Sequence, residues 1–440
     1  MIGSIRAFLQ TRATSEAWKS LLKDTVQTEV FRQGAAMSFW RILSLAFATV
    51  ASIWAARCLG PENLGISAMI ISTMLQLSLL VNFNHTPLLV RLYKHRPTKE
   101  AQNELIATVF TFRRTASAAL IVLTVPLLLC LGLSPKWYLG ILAGIPFFLL
   151  LTNLADWILQ SEGQMAEYYK ALTAQALVTA SLYLFFFRPG IGPGYDVAVQ
   201  ALGMLVSSCV AWHFATRGRS KFPLYQWHLL PKIVPILYEG RWIALSGFVG
   251  YINNGFESPL LGYLSSIKEL GIYRTATVLI TGVSALLSMI SALLYPRYID
   301  WKKQGDAYLW SRQKKISLVF AALFLPLIIL AFLLSPLFFY YVYSPVFARA
   351  AYPFAILLTA RFVGVINGIY YGGLLAHRQD KSMLVITSTV SFICLGLNLL
   401  LIPHFGVMAA ASVNLTNEFL VLTATFTLNR RLVHRQTLVA

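Results

Sequence analysis

The chain has 440 residues, 57% of them hydrophobic and 12% charged, with a formal net charge of +19. That apolar balance lies outside the range of a soluble globular domain, so a chain built mainly of soluble domains is excluded. The basic excess invites a nucleic-acid partner, but its placement along the chain argues against one.

In chain order, residues 1–35 carry Arg and Lys every few positions and show no apolar core of the kind a cleavable signal peptide has. Ile5, Phe8, Leu9, Trp18, Leu21 and Leu22 are spaced for an amphipathic helix on the inner leaflet, the alternative being a frayed tail. From residue 36 the chain reads as twelve apolar spans, near 36–57, 65–84, 115–133, 138–157, 171–187, 195–215, 240–262, 273–295, 316–342, 352–376, 382–402 and 407–428. The expected fold is therefore an all-α polytopic membrane protein with two six-helix lobes, 36–215 and 240–428. A basic, Pro-bearing linker (216–239) joins them and a tail (429–440) follows. A second linker, Pro296 to Lys315, reads as a candidate interfacial helix.

The lobes echo one another at a shift of 206 positions. Gly34 falls on Gly240, Leu64-Gly65-Ile66 on Leu270-Gly271-Ile272, Leu80 on Leu286 and Arg91 on Arg297. Six spans per copy give both copies the same orientation, a parallel repeat about an axis along the membrane normal. With the N-terminus inside, the inner segments hold 28 Lys/Arg and the outer loops six: Arg57, Lys136, Arg188, Lys268, Arg274 and Arg349. This is the positive-inside pattern, with both termini cytoplasmic; the basic excess is orientation signal and attraction to anionic lipid.

Charged and amide side chains inside spans are expensive and need explaining, at roughly 2.5–3.5 kcal/mol for a charge at the helix centre. Arg41 lies about five residues inside the first span, within snorkelling reach of the inner headgroups, and is also a candidate substrate contact. Asn153 and Asp156 close the inner end of the fourth. Asn253, Asn254 and Glu257 share one face of the seventh, at spacings of three and four. Arg361 sits near mid-membrane in the tenth, read either as a cationic contact for an anionic substrate or as half of an ion pair. Asn414, Asn417 and Glu418 repeat the amide-and-acid pattern in the twelfth. Glu257, Glu418 and Asp156 are the candidate ion-coupling carboxylates, because burial can lift a carboxyl into the working range.

No Gly-rich phosphate loop, no His-x-x-x-His and no Cys-x-x-Cys occurs, so neither cofactor nor metal is expected. The largest outer loop, Tyr343 to Ala351, is short. That weighs against a membrane-embedded glycosyltransferase or polymerase, which would need room outside for its catalytic residues; the chain is expected not to be an enzyme.

Ala56-Arg57-Cys58-Leu59-Gly60-Pro61-Glu62-Asn63-Leu64-Gly65 resembles the turn after the first span in polysaccharide-repeat flippases, the O-antigen and exopolysaccharide branch of the multidrug/oligosaccharidyl-lipid/polysaccharide exporter superfamily. Asn253-Asn254-Gly255-Phe256-Glu257 running to Leu270-Gly271-Ile272-Tyr273, and Gly406-Val407-Met408-Ala409-Ala410-Ala411, are similar to that family's seventh span and to the start of its twelfth. Family members often carry Asp-Arg where this chain has Glu257-Ser258. The resemblance implies a V-shaped exporter-type fold with a central cavity lined by the first, second, seventh and eighth spans. It implies transport of an undecaprenyl-diphosphate-linked oligosaccharide to the outer leaflet of the bacterial cytoplasmic membrane, with a polysaccharide polymerase as a candidate partner beside the membrane lipids. Arg41, Asn253, Asn254, Glu257 and Arg361 are then the candidate cavity residues. A cation-coupled small-molecule exporter of the same superfamily is the alternative.

Overall fold

A computed structural model describes residues 29–82, 86–130, 155–217, 225–377 and 379–437. Among these residues every regular element is a helix: α1 (Glu29–Asn82), α2 (Thr86–His95), α3 (Lys99–Cys130), α4 (Asp156–Ser161), α5 (Met165–Phe186), α6 (Pro193–Thr216), α7 (Ile233–Gly255), α8 (Glu257–Leu264), α9 (Ile267–Lys303), α10 (Asp306–Phe338), α11 (Ala351–Ala376) and α12 (Asp380–Thr437). Among the described residues seven helical stretches are long and apolar enough to cross a membrane. The protein is an all-α, multi-pass membrane protein.

Two of those stretches are double. α1 has 54 residues and α12 has 58, each far longer than the roughly 20 that cross a bilayer. α1 bends at Gly60, whose φ of 70° is open to glycine at little cost, and Pro61 withholds the N–H that would continue the ladder. α12 bends at Gly406, with φ 52° and Pro403 just before it. The first and second expected spans, and the eleventh and twelfth, are thus hairpin arms of one continuous helical stretch. These bends share one end of the molecule, here the Gly60 end; the linkers lie at the opposite end.

The seventh expected span is interrupted at Phe256, between α7 and α8. Pro259 lacks the N–H that would reach the Gly255 carbonyl, and Asn253, Asn254 and Gly255 are poor helix formers. The break places Glu257 at the start of α8.

Two expectations need adjusting. The described end of the linker 216–239, from residue 225, is largely helical: a 3₁₀ turn covers Trp227–Lys232 and α7 starts at Ile233. Ile233 and Ile236 bury themselves among Leu88, Leu105 and Trp157 of the first lobe. Apolar positions in a chain segment that looked polar on average did this. Lys232 pairs with Glu104 and Arg91 with Glu239, and the ammonium holds the Glu104 carboxyl below the ordinary carboxylate range. Pro296 to Lys315 forms no separate interfacial helix, because α9 continues to Lys303 and α10 starts at Asp306 after a turn at Gly305. The fourth span lies outside the described residues except at its inner end, as does the N-terminal segment before residue 29.

The packing clusters show where the lobes meet. One cluster lies in the first lobe near the linkers, around Trp157, and a second fills the other lobe around Tyr273, Leu357 and Ala410. A third is shared: Ala51, Ala55 and Ala56 of α1 and Tyr183 of α5 pack with Ile272, Phe339, Tyr343 and Phe347 from the second lobe. Small residues on α1 permit that close approach, the usual means of helix association in lipid.

Candidate functional site

At the Gly60 end the lobes are latched by polar contacts as well as packing. The second arm of α1 crosses the start of α9 at Gly65 and Gly271, backbone against backbone. Arg57, from the turn motif, donates through Nε and Nη2 to the carbonyls of Tyr341, Val342 and Tyr343 at distances of 2.7–3.0 Å. Those carbonyls end the helical run of α10, where partial negative charge collects, so the first lobe supplies a cationic cap to a helix of the second. Arg274, in the second turn of α9, pairs with Asp196 of α6 at 2.9 Å. Asp196 is fully buried and also accepts from the Tyr183 hydroxyl, which in turn accepts from Gln200 at 3.0 Å.

Beneath this latch lies a cavity of about 380 Å³ between α1, α5, α6 and α9. Arg41 and Arg274 both line it, with Ser44, Gln175, Thr179 and Gln200 between them. Arg41 lies over the ring of Tyr169 at 5.5 Å, a cation–π contact that holds the guanidinium without neutralising it. Hydroxyl and amide groups with two cations suit a hydrated anionic guest. Across the opposite side of α1 is a second cavity of about 670 Å³, walled by Ile42, Ala46, Leu286, Leu330, Leu334 and Phe338 and almost wholly apolar. Leu45 lines both, and α1 together with α9 separates a cationic chamber from an apolar groove.

The second lobe holds a connected polar network. Glu257, 6% exposed, accepts from the Tyr273 hydroxyl on one oxygen and from Asn414 at 2.7 Å on the other. Asn414 turns its own carbonyl oxygen to Arg361 at 3.4 Å, and Arg361 faces Glu418 at 3.8 Å. Gly364 leaves room for the Glu418 carboxylate against α11. Arg361 and Glu418 border a pocket of about 300 Å³ with Asn367 and Tyr371, and Arg361 keeps 25% side-chain exposure. The Arg361 Nε finds no partner among the described residues.

The structure therefore brings Glu257, Arg361 and Glu418 together and leaves Arg41 in the other lobe's chamber. Asp156 stands apart at the linker end, within electrostatic reach of the buried Arg113. Asn253 and Asn254 belong to the last turns of α7, but their side chains lie outside the described residues. Sequence reasoning missed two residues. Arg274 counts as an outer-loop charge in the positive-inside tally, yet it is inside α9 and lines the chamber. Asp196 went unnoticed although it is an acid just inside an apolar span; that position was the available signal.

A two-lobe bundle of membrane helices closed at one end over a polar chamber is an exporter-type fold. Residues 31–301 match the family model for polysaccharide biosynthesis proteins, and the chain belongs to that family. Among solved structures it is similar to the lipid II flippase MurJ in an inward closed conformation, at 13% identity and a TM-score of 0.69 over 90% of this chain and 86% of that one. It is similar to a multidrug resistance MATE family transporter of the MOP superfamily in an inward-facing conformation, at 14% identity and a TM-score of 0.64 over 89% and 95%. A MOP superfamily transporter from Pyrococcus furiosus matches at 13% identity and 0.54 over 91% and 95%. At such identities these likenesses establish the fold. No curated protein matches the chain.

Proposed function

We propose that the protein moves an undecaprenyl-diphosphate-linked oligosaccharide from the inner to the outer leaflet of the bacterial cytoplasmic membrane by alternating access, with both termini in the cytoplasm. The observation that carries this reading is the pair of cavities on opposite sides of α1. The cargo is an amphiphile whose diphosphate and sugars cannot cross hydrocarbon, whereas each tail methylene favours it by roughly 0.8 kcal/mol. A carrier must hold the head in a wet cationic chamber while the tail stays in an apolar groove open to lipid. Arg41 lines the chamber one turn from Leu45, which lines both. Asn253, Asn254, Glu257 and Arg361 form the sugar and phosphate path in the second lobe, and Glu257, Glu418 and Asp156 are the carboxylates available for cation coupling.

Deletion of the gene tests this. The complete lipid-linked repeat should accumulate in the inner leaflet, out of reach of a glycan-modifying enzyme added to intact spheroplasts, while surface polysaccharide disappears. Normal surface glycan with altered resistance to cationic dyes would replace this reading with that of a small-molecule exporter.

A further inference from the structure

The latch at the Gly60 end terminates in a half-used guanidinium. Among the described residues every side-chain hydrogen bond of Arg274 leaves from Nη1, to Asp196 at 2.9 Å, to the Ser67 hydroxyl and to the Leu64 carbonyl at 3.5 Å. Nε and Nη2 bond to none of the described residues, and neither is a sealed, unsatisfied atom. The side chain keeps 16% exposure and lines the polar chamber. Asp196 is the reverse case: 0% exposed, with one oxygen on Arg274 and the other on Tyr183. One edge of the guanidinium therefore holds the lobes together while donors on the other remain available to a guest.

A guanidinium offers five donors in a rigid fork, and its bidentate pairing with phosphate is among the stronger polar contacts in proteins. A guest anion can thus reach Arg274 before Asp196 lets go. Once there, the guest competes with the fully buried Asp196 for the same positive charge. Asp196, Tyr183 and Gln200 belong to α5 and α6 of the first lobe, whereas Arg274 belongs to α9 of the second. Weakening this one pair therefore acts directly on the contact between lobes.

We propose that Arg274 is the anion site of the chamber and at the same time the release of the latch: a phosphate-bearing headgroup bound to its free edge loosens Asp196 and Ser67 and favours separation of the lobes at the Gly60 end. This rests on the reading of the cargo as a lipid diphosphate. It adds a reason for the carrier to stay closed when empty, since a ligand shifts a two-state equilibrium only by its differential affinity for the two states. The closed state here has Arg274 divided between two partners, and the open state gives it wholly to the guest.

The test uses the full chain in nanodiscs, with the four native cysteines replaced by Ser and spin labels on cysteines placed at Pro189 and Val346, one on each lobe at the Gly60 end. Farnesyl diphosphate should lengthen the inter-label distance and raise the separated fraction on the order of tenfold, about the weight of one charge-assisted hydrogen bond; farnesol should not. A matching response to inorganic pyrophosphate would show that the anion alone releases the latch, and a response confined to farnesyl diphosphate would show that the lipid is needed as well; either supports the proposal. Asp196→Asn should separate the lobes without ligand. Arg274→Lys, with one nitrogen in place of a fork, should stay latched and bind farnesyl diphosphate on the order of tenfold more weakly by tryptophan fluorescence. If Asp196→Asn does not fold, Tyr183→Phe loosens Asp196 more gently and the wild-type arms still decide. Diphosphate binding with no change in distance, or undiminished binding to Arg274→Lys, overturns the switch and leaves the cargo reading intact. Absence of any binding overturns both.

Discussion

Gly65 and Gly271 occupy equivalent positions in the two repeats and face one another across the lobe interface. A Cβ added to Gly65 would run into the carbonyl oxygen of Ile267, and one added to Gly271 into that of Pro61. Pro61 and Ile267 are themselves equivalent at the 206-residue shift. The contact is self-complementary, as across a two-fold axis, although both halves belong to one chain. It closes the Gly60 end while the chamber lies below it, so opening that end requires these helices to part.

A methyl group at either glycine meets backbone, which has little room to yield. Gly65→Ala or Gly271→Ala should therefore shift the protein towards separation at this end, against an overpacking cost of roughly 1–3 kcal/mol. Cys58 is the reporter: it is 6% exposed beside the latch. With the other three cysteines replaced, its reaction with a membrane-impermeant maleimide should rise several-fold in either variant. Unchanged reactivity in both would mean that the crossing is not part of the gate.

Arg57 should act on the same closure by a different route. Arg57→Gln removes the cationic cap from the carbonyls of Tyr341, Val342 and Tyr343, and amide exchange in residues 339–350 should accelerate. Arg57→Lys should recover only part of the protection, because an ammonium cannot span three carbonyls as the fork does. Equal exchange in all three proteins would reduce the contact to a surface pairing of little weight.

Much of this arrangement was legible in the sequence, and the remainder was not for physical reasons. Gly60-Pro61 and Pro403 with Gly406 mark the two bends because glycine and proline act on the backbone locally. Glu257, Arg361 and Glu418 stood out singly because an ionisable group in an apolar run is costly whatever surrounds it. That Asn414 would bridge Glu257 to Arg361 was not legible, since the partners lie on different spans and only packing brings them together. Arg274 was lost for a related reason. A charge two turns inside a helix looks the same in sequence as a charge in the preceding loop, and its acid, Asp196, is 78 positions away.

The pairing of Arg361 with Glu418 predicts a particular non-additivity. Removing one member of a buried ion pair leaves an uncompensated charge and costs roughly 3–5 kcal/mol, whereas removing both avoids that penalty. Arg361→Gln should therefore lower the Tm in detergent more than Arg361→Gln combined with Glu418→Gln. If the double variant is the less stable, the two residues do not work as a pair, and Arg361 is free to serve the cargo alone.

Glu257 yields the last prediction, because its surroundings separate a coupling role from a structural one. Both of its oxygens are engaged, by Tyr273 and Asn414, and it begins α8 just beyond the break at Phe256. A carboxylate at such a break can take up a cation and change the balance between its donors, so that α7 and α8 reorient together with the charge. Glu257→Gln keeps the size and one acceptor but discards the charge. It should slow transport in inverted vesicles and flatten its dependence on the proton or sodium gradient. Tyr273→Phe removes one donor and keeps the charge, so the gradient dependence should survive at a lower rate. Cysteines at Asn253 and Asn254, in the turns before the break, should react with a small hydrophilic thiol reagent if the cargo path passes there. An unaltered gradient dependence in Glu257→Gln would take this residue out of coupling and leave Glu418 and Asp156 as the remaining carboxylates. Unreactive cysteines at both asparagine positions would show that this face of α7 is a dry helix contact.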